Sequence, residues 1–269
     1  MGAVQEFPSG AAGLRRLRRL ARDRGYRAEV GMSVVEGPAL VGEALDAGRD
    51  VRLVVVPAST VEDPVVAGLL ARAAAMGIEA GSVVDRAFAG LTSTRSPQPA
   101  IAEVADHHVD PGDLVASVRS GHPLLVLADV ADPGNAGTLF RSAEAFGAGG
   151  VLVAGGVDPY NPKVVRAAAG SSFRLPFART ATAAEALALL ADAGVAAWAA
   201  VPHGGVPLAE VPAEGPVALV LGNEPRGLDD HLVDACTGTA TVATVGDVES
   251  LNVAVAGSVA LYELVRRQG

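Results

Sequence analysis

The chain has 269 residues, half of them apolar, with 21 basic and 30 acidic side chains for a formal charge of −9. Such apolar content excludes a disordered chain, and the length suffices for two modest domains. A single cysteine, Cys236, excludes an intrachain disulfide and a cysteine-rich metal site, in keeping with a reducing compartment.

No run of about 18 apolar residues is present, and the start lacks the basic, apolar and cleavage segments of a signal peptide. The expectation is a soluble cytoplasmic protein with no membrane partner. An acidic balance works against bulk attraction to nucleic acid, so local clustering of charge is more informative. The basic residues are arginines apart from Lys163.

In chain order, the first ten residues read as a tail. Leucines at 14, 17 and 20 with arginines at 15, 16, 18 and 19 between them form a short basic amphipathic helix. Its arginines are either a solvated face or contacts to RNA phosphates. Residues 1–29 are therefore taken as a basic extension. Residues 30–106 read as a small α/β domain: a strand at Val51–Val56 ended by Pro57, helices near 38–47 and 64–76, and apolar runs at 81–84 and 100–105. The turn-rich stretch 107–122, with His107, His108, Pro111, Gly112 and His122, is the expected linker.

The second domain, 123–269, starts on the buried-strand run Leu124–Leu127. Strands follow at 150–154, 195–200, 216–221 and 239–243, alternating with helices at 135–147, 162–169, 181–193 and 252–267. That alternation implies a mostly parallel sheet covered on both faces. Ligands of such sheets bind beyond the carboxyl ends of the strands.

Three post-strand clusters occupy such places. Asp132-Pro133-Gly134-Asn135 makes a turn with Asn135 as a natural helix cap, and Arg141 follows six residues later. A well-capped helix accounts for this cluster taken alone. An arginine near a helix start, however, opposes the dipole and is easier to explain if it meets an anion. Gly222-Asn223-Glu224-Pro225-Arg226-Gly227 follows a strand but lacks the spacing of a dinucleotide fingerprint or a P-loop. Gly246-Asp247-Val248-Glu249-Ser250-Leu251-Asn252 runs into an apolar helix; capping would use only one or two of its polar groups.

Together, in this order and spacing, the clusters resemble the three motifs of the SpoU (TrmH-type) branch of the SPOUT RNA methyltransferases. Asn135 with Arg141 matches the first, Leu221-Gly222-Asn223-Glu224 the second and Glu249-Ser250-Leu251-Asn252 the third. Residues 32–105, with Val34-Val35-Glu36-Gly37 and Gln98, resemble the family's N-terminal L30e-like substrate-binding domain more loosely. Two departures stand out: Val242-Ala243-Thr244 replaces the usual Ile-Pro-Met, and Pro225 stands where relatives often carry a small residue.

The resemblance implies a C-terminal SPOUT-type α/β domain with a trefoil knot, and a homodimer whose plausible interface includes the closing helix with Leu251, Val255, Val259 and Leu261. It also implies S-adenosyl-L-methionine held by the loops after 221 and 242, at Gly222, Val242, Thr244 and Leu251. The implied reaction is methylation of a ribose 2′-hydroxyl of RNA, with large-subunit 23S ribosomal RNA favoured over tRNA. Arg141, Asn135, Glu224, Ser250 and Asn252 are the implied catalytic set. Because arginine resists deprotonation, Arg141 is expected to grip a phosphate and stabilise the developing alkoxide rather than act as base. Asn135, Ser250 and Asn252 would orient the hydroxyl and Arg141, and Glu224 would hold the arginine or shape the loop. No metal is expected, and His203 reads as a loop residue. A non-catalytic RNA-binding protein keeping the fold is the rival from another class.

Overall fold

The computed structural model describes residues 4–92, 97–212, 214–245 and 248–267. It divides into two compact units, one taking the chain up to His107 together with Tyr160–Arg166, the other the remainder. The first unit carries β1 (Gln5–Glu6), α1 (Ala12–Leu20), α2 (Arg24–Val30), β2 (Met32–Glu36), α3 (Pro38–Asp46), β3 (Val51–Pro57), α4 (Pro64–Ala75), β4 (Glu79–Val83), α5 (Asp85–Ala89) and β5 (Ile101–Ala105). Its sheet order is β1-β4-β3-β5-β2, with β5 antiparallel to both of its neighbours.

Two expectations for the start of the chain are corrected. The supposed tail contributes β1, which pairs in parallel with β4 at Gln5↔Gly81, and Phe7 is buried beside it. Two residues carry no periodicity, so only the long-range pairing defines this strand. Nor is α1 peripheral: Leu14, Leu17 and Leu20 lie in one core cluster with Val34, Leu53 and Ile101.

The guanidinium groups of all four α1 arginines, and that of Arg22 just after the helix, are already engaged. Arg15 donates to Gly10 O, and Arg18 Nε and Arg22 Nη2 both reach Gly90 O at 3.1 and 3.2 Å. Arg16 grips the buried Glu103 carboxylate through Nε and Nη2 at 2.8 and 2.7 Å. Arg19 pairs with Asp23 at 3.3 Å and stacks on the Tyr26 ring.

In the second unit the chain forms α6 (Pro111–Ala116), β6 (Leu124–Ala128), α7 (Pro133–Ala145) and β7 (Gly150–Ala154). After α8 (Pro162–Ala168), which crosses the division, come α9 (Ser171–Arg174), β8 (Phe177–Thr180), α10 (Ala183–Asp192) and β9 (Ala196–Ala200). The chain closes with β10 (Val206–Pro207), β11 (Val217–Leu221), α11 (Asp230–Asp234), β12 (Gly238–Thr241) and α12 (Val253–Arg266). The expected linker thus contains a helix. Asp110 caps α6, and Leu114 and Val115 are buried in the core that also holds Leu124, Val126 and Leu187.

All seven strands of this sheet pair in parallel, in the order β10-β12-β9-β11-β6-β7-β8. The five residues of β6, β7 and β11 are buried throughout, as strands covered on both faces must be. On one face α7 and α12 run parallel and close. Asn135 meets Asn252, Ser142 Oγ meets Ser258 Oγ at 2.6 Å, and the rings of Phe146 and Tyr262 stack edge-on. A Cβ at Gly257 would lie 2.6 Å from a Leu139 methyl and 2.5 Å from a Leu221 methyl, so a larger residue would have to push these side chains aside.

Candidate active site

In the sheet order β12, β9, β11 and β6 are successive neighbours, so the loops leaving their carboxyl ends converge. The loop after β6 is set by Asp129, a non-glycine residue held at φ 56°, in the left-handed region. Its N–H donates to Ala154 O and its carbonyl accepts from Asn223 Nδ2, both at 2.9 Å. The loop after β11 closes on itself: Asn223 and Gly227 exchange backbone hydrogen bonds. A Cβ at Gly222 would sit 2.5 Å from the Gly227 carbonyl carbon, so glycine is required there by the turn itself.

Glu224 joins the two loops. Its Oε2 accepts from Ala131 N and its Oε1 from Asp132 N and Asn135 Nδ2, each at 3.0 Å. Burial raises the Glu224 carboxyl. The hydrogen bonds from the Asn135 side chain and the two backbone amides outweigh that effect and hold its pKa below the ordinary value. Asn135 Oδ1 accepts from Asn252 Nδ2 at 3.0 Å, and Asn252 Oδ1 caps α12 by accepting from Ala254 N and Val255 N. A continuous chain of hydrogen bonds therefore leads from the α12 amides through two asparagines to one carboxylate, and it fixes the orientation of both amide groups.

Beside this chain lies a cavity of about 370 Å³, within the range typical of small-molecule sites. Gly222, Val242, Thr244 and Leu251 all line it, as do Glu224 and Ser250. Its wall is mixed, apolar at Leu221, Val242, Leu251 and Ala260 and polar at His203, Arg226 and Glu249. Asn223, also in the wall, keeps its side-chain oxygen buried with no partner among the described residues. A wall that mixes apolar side chains with polar groups suits a ligand that carries both. Gly246 and Asp247 of the third cluster lie outside the described residues.

Several expectations change here. Asp132, not Asn135, caps α7: its side chain accepts from Asn135 N at 2.8 Å, with Pro133 in the first turn. Glu224 shapes the loops and forms no bond with Arg141. Arg141 is the ninth of the 13 residues of α7, far from the first turn, so the argument from an opposed helix dipole fails. Six residues beyond Asn135 it points about 240° away around the axis and roughly 9 Å along it. It is exposed, has no hydrogen bond or ion pair among the described residues, and does not line the cavity. Val201, Pro202, His203 and Leu208 do line it. Sequence reading missed this wall, because only the adjacency of β9 to β11 brings it to the site. Placement after a strand was the one available signal.

Fold and site together define a doubly covered parallel-sheet protein with a ligand cavity beyond the carboxyl ends of its strands. Residues 122–262 match the family model described as SpoU rRNA Methylase family, and residues 13–102 match the MRM3-like substrate binding domain. The chain belongs to the SpoU rRNA methylase family. Bacillus subtilis RlmP, a 23S rRNA (guanosine(2553)-2′-O)-methyltransferase, is 33% identical over 239 residues, covering 88% of this chain and 90% of its own. The crystal structure of the SpoU methyltransferase AviRb from Streptomyces viridochromogenes in complex with AdoMet superimposes with a TM-score of 0.84 at 26% identity, covering 96% of this chain and 98% of that one. An AdoMet-bound rRNA methyltransferase from Sinorhizobium meliloti gives 0.84 at 29% identity and 98% coverage of both.

Proposed function

We propose that this protein is an S-adenosylmethionine-dependent methyltransferase acting on a ribose 2′-hydroxyl of 23S ribosomal RNA. The observation that carries the reading is the Glu224–Asn135–Asn252 hydrogen-bond chain on the rim of the cavity. The methyl donor, when bound, supplies an already activated methyl group, so the protein's task is to position and assist a nucleophile. Gly222, Val242, Thr244 and Leu251 hold the donor. Asn135 and Asn252 each retain a second amide N–H with which to orient the ribose hydroxyl, and Ser250 contributes a hydroxyl beside them. Glu224 keeps both loops and Asn135 in place. Arg141 binds an RNA phosphate and offsets the charge that develops on the 2′-oxygen.

The working unit in this reading is a homodimer. Val255, Val259 and Tyr262 of α12, spaced for one helix face, are 50%, 42% and 51% exposed. Pairing through this α7–α12 layer would carry Arg141, next to Ser142, toward the partner's cavity. The trefoil knot belongs to the reading too, as the family resemblance implies. RNA is bound through the N-terminal unit, in the cytoplasm. Among the described residues no helix is long and apolar enough to cross a membrane.

Mapping 2′-O-methylation in cells with and without the gene tests the reading. One 23S position should lose its methyl group and regain it with purified protein and S-adenosylmethionine. Loss confined to tRNA would redirect the substrate. Failure to bind the donor would favour a non-catalytic RNA-binding protein.

A further inference from the structure

The cavity touches α12 at its opening turns, where Leu251, Val253, Ala256 and Ala260 line it. The opposite end of the same helix reaches the cavity by another route. Arg267, the C-cap residue, donates through Nη1 to Leu208 O at 2.9 Å and to Val211 O at 2.8 Å. These carbonyls bracket the short 3-10 turn Leu208–Glu210, in the segment between β10 and β11. The Leu208 side chain is buried and forms part of the cavity wall, and Val211 is fully buried behind it. Within the turn Val211 N donates to Leu208 O at 3.3 Å, and just before it Pro207 of β10 pairs with Thr241 of β12.

Arg267 has no ion pair among the described residues. Its charge is spent on two neutral carbonyls, in a place where the end of a helix favours a cation. A charge-assisted donor to two part-buried carbonyls is strong, and its removal takes the side-chain donor from Val211 O and leaves Leu208 O only the long bond from Val211 N. Neighbouring Arg266, by contrast, is exposed and paired with Glu263 at 2.8 Å on the helix's own surface.

We propose that Arg267 is a positioning residue for the cofactor cavity, pinning the Leu208–Val211 wall to the far end of α12; this rests on the cavity's assignment to S-adenosylmethionine. Arg267→Ala should weaken S-adenosylmethionine binding about tenfold by calorimetry. The turnover rate at saturating donor should stay within about twofold. Amide hydrogen exchange at 208–211 should speed up in the ligand-free protein. Arg267→Lys, which can still donate to both carbonyls, should recover most of the affinity, and Arg266→Ala should change nothing. Arg267→Gln, a shorter neutral donor, serves the same comparison if alanine prevents folding. An Arg267→Ala variant with wild-type affinity would overturn the inference, as would parallel losses of affinity, turnover and melting temperature that lysine does not rescue. A wild-type chain that binds no S-adenosylmethionine would overturn the functional reading itself.

Discussion

Helices α1 and α7 both present arginine, and in opposite ways. Helix α1 concentrates it: Arg15, Arg16, Arg18 and Arg19 are all held by partners in their own unit. Helix α7 carries the single Arg141, which has no such partner among the described residues. A dense run of charge can therefore be largely scaffold, while a solitary charge is left open to a ligand. What separates them is whether the fold already supplies the counter-charge or the acceptor.

Losing Arg141 should be the most costly change for the reaction. Arg141→Ala should lower the methyl-transfer rate a few hundred-fold, about 3–4 kcal/mol in barrier. Donor affinity should stay within a few-fold and the melting temperature should not move. Arg141→Lys should recover little, since a point charge does not reproduce a planar fork. A stable alanine variant with near-normal single-turnover kinetics would erase the contrast with α1.

Leu17→Ala, on the buried face of α1, should instead cost about 2–5 kcal/mol of stability in denaturant titration. A small loss there would mean that α1 is dispensable to the core. Arg16→Ala should cost about 2 kcal/mol, because it strips a buried carboxylate, Glu103, of its charged donor.

Glu224→Gln should cost a similar amount, since an amide cannot accept from three donors at once. The pH dependence has a definite sign. A carboxyl whose folded pKa is depressed contributes stability that is fully present above its unfolded value, about 4.3. That contribution is lost as pH falls through the lower folded value. Wild type and Glu224→Gln should therefore differ most near neutrality and converge in acid; curves that stay parallel down to pH 2 would remove Glu224 from the network.

The smallest effect belongs to Arg18 and Arg22, which hold a neutral carbonyl and so keep their full charge. Their joint replacement by alanine should weaken RNA binding modestly and shallow its salt dependence by up to about two phosphate contacts. Unchanged salt dependence would make all of α1 scaffold.

Much of the parallel sheet was legible because strands buried on both faces are unbroken apolar runs, as at Leu124–Leu127 and Val217–Leu221. The three clusters were legible because their polar residues follow such runs directly. What could not be read depends on contacts distant in sequence. The two-residue β1 exists only as a pairing with β4. The helix α6 hides in a turn-rich stretch because only Leu114 and Val115 mark its buried face. Asn135 and Asp132 are both good caps by type, but the Asn135 side-chain oxygen that could cap is taken by Asn252, 117 residues away, while its amide nitrogen goes to Glu224. Phe177–Thr180 is too short to show a strand period, so β8 was not anticipated.

The tight pairing of α7 with α12 also bears on how the protein is made. Asn135 and Asn252 are 117 positions apart in the chain. At translation speeds of about 5–20 residues per second, roughly 6 to 23 s pass between the appearance of the two. For that interval the groove on α7 that receives Gly257 has no occupant, and Leu139, joined late by Leu221, lacks the helix that packs against it. No nascent fragment ending before α12 can assemble the asparagine pair, so the ribosome must release nearly the whole polypeptide before one more rRNA-modifying site comes into being.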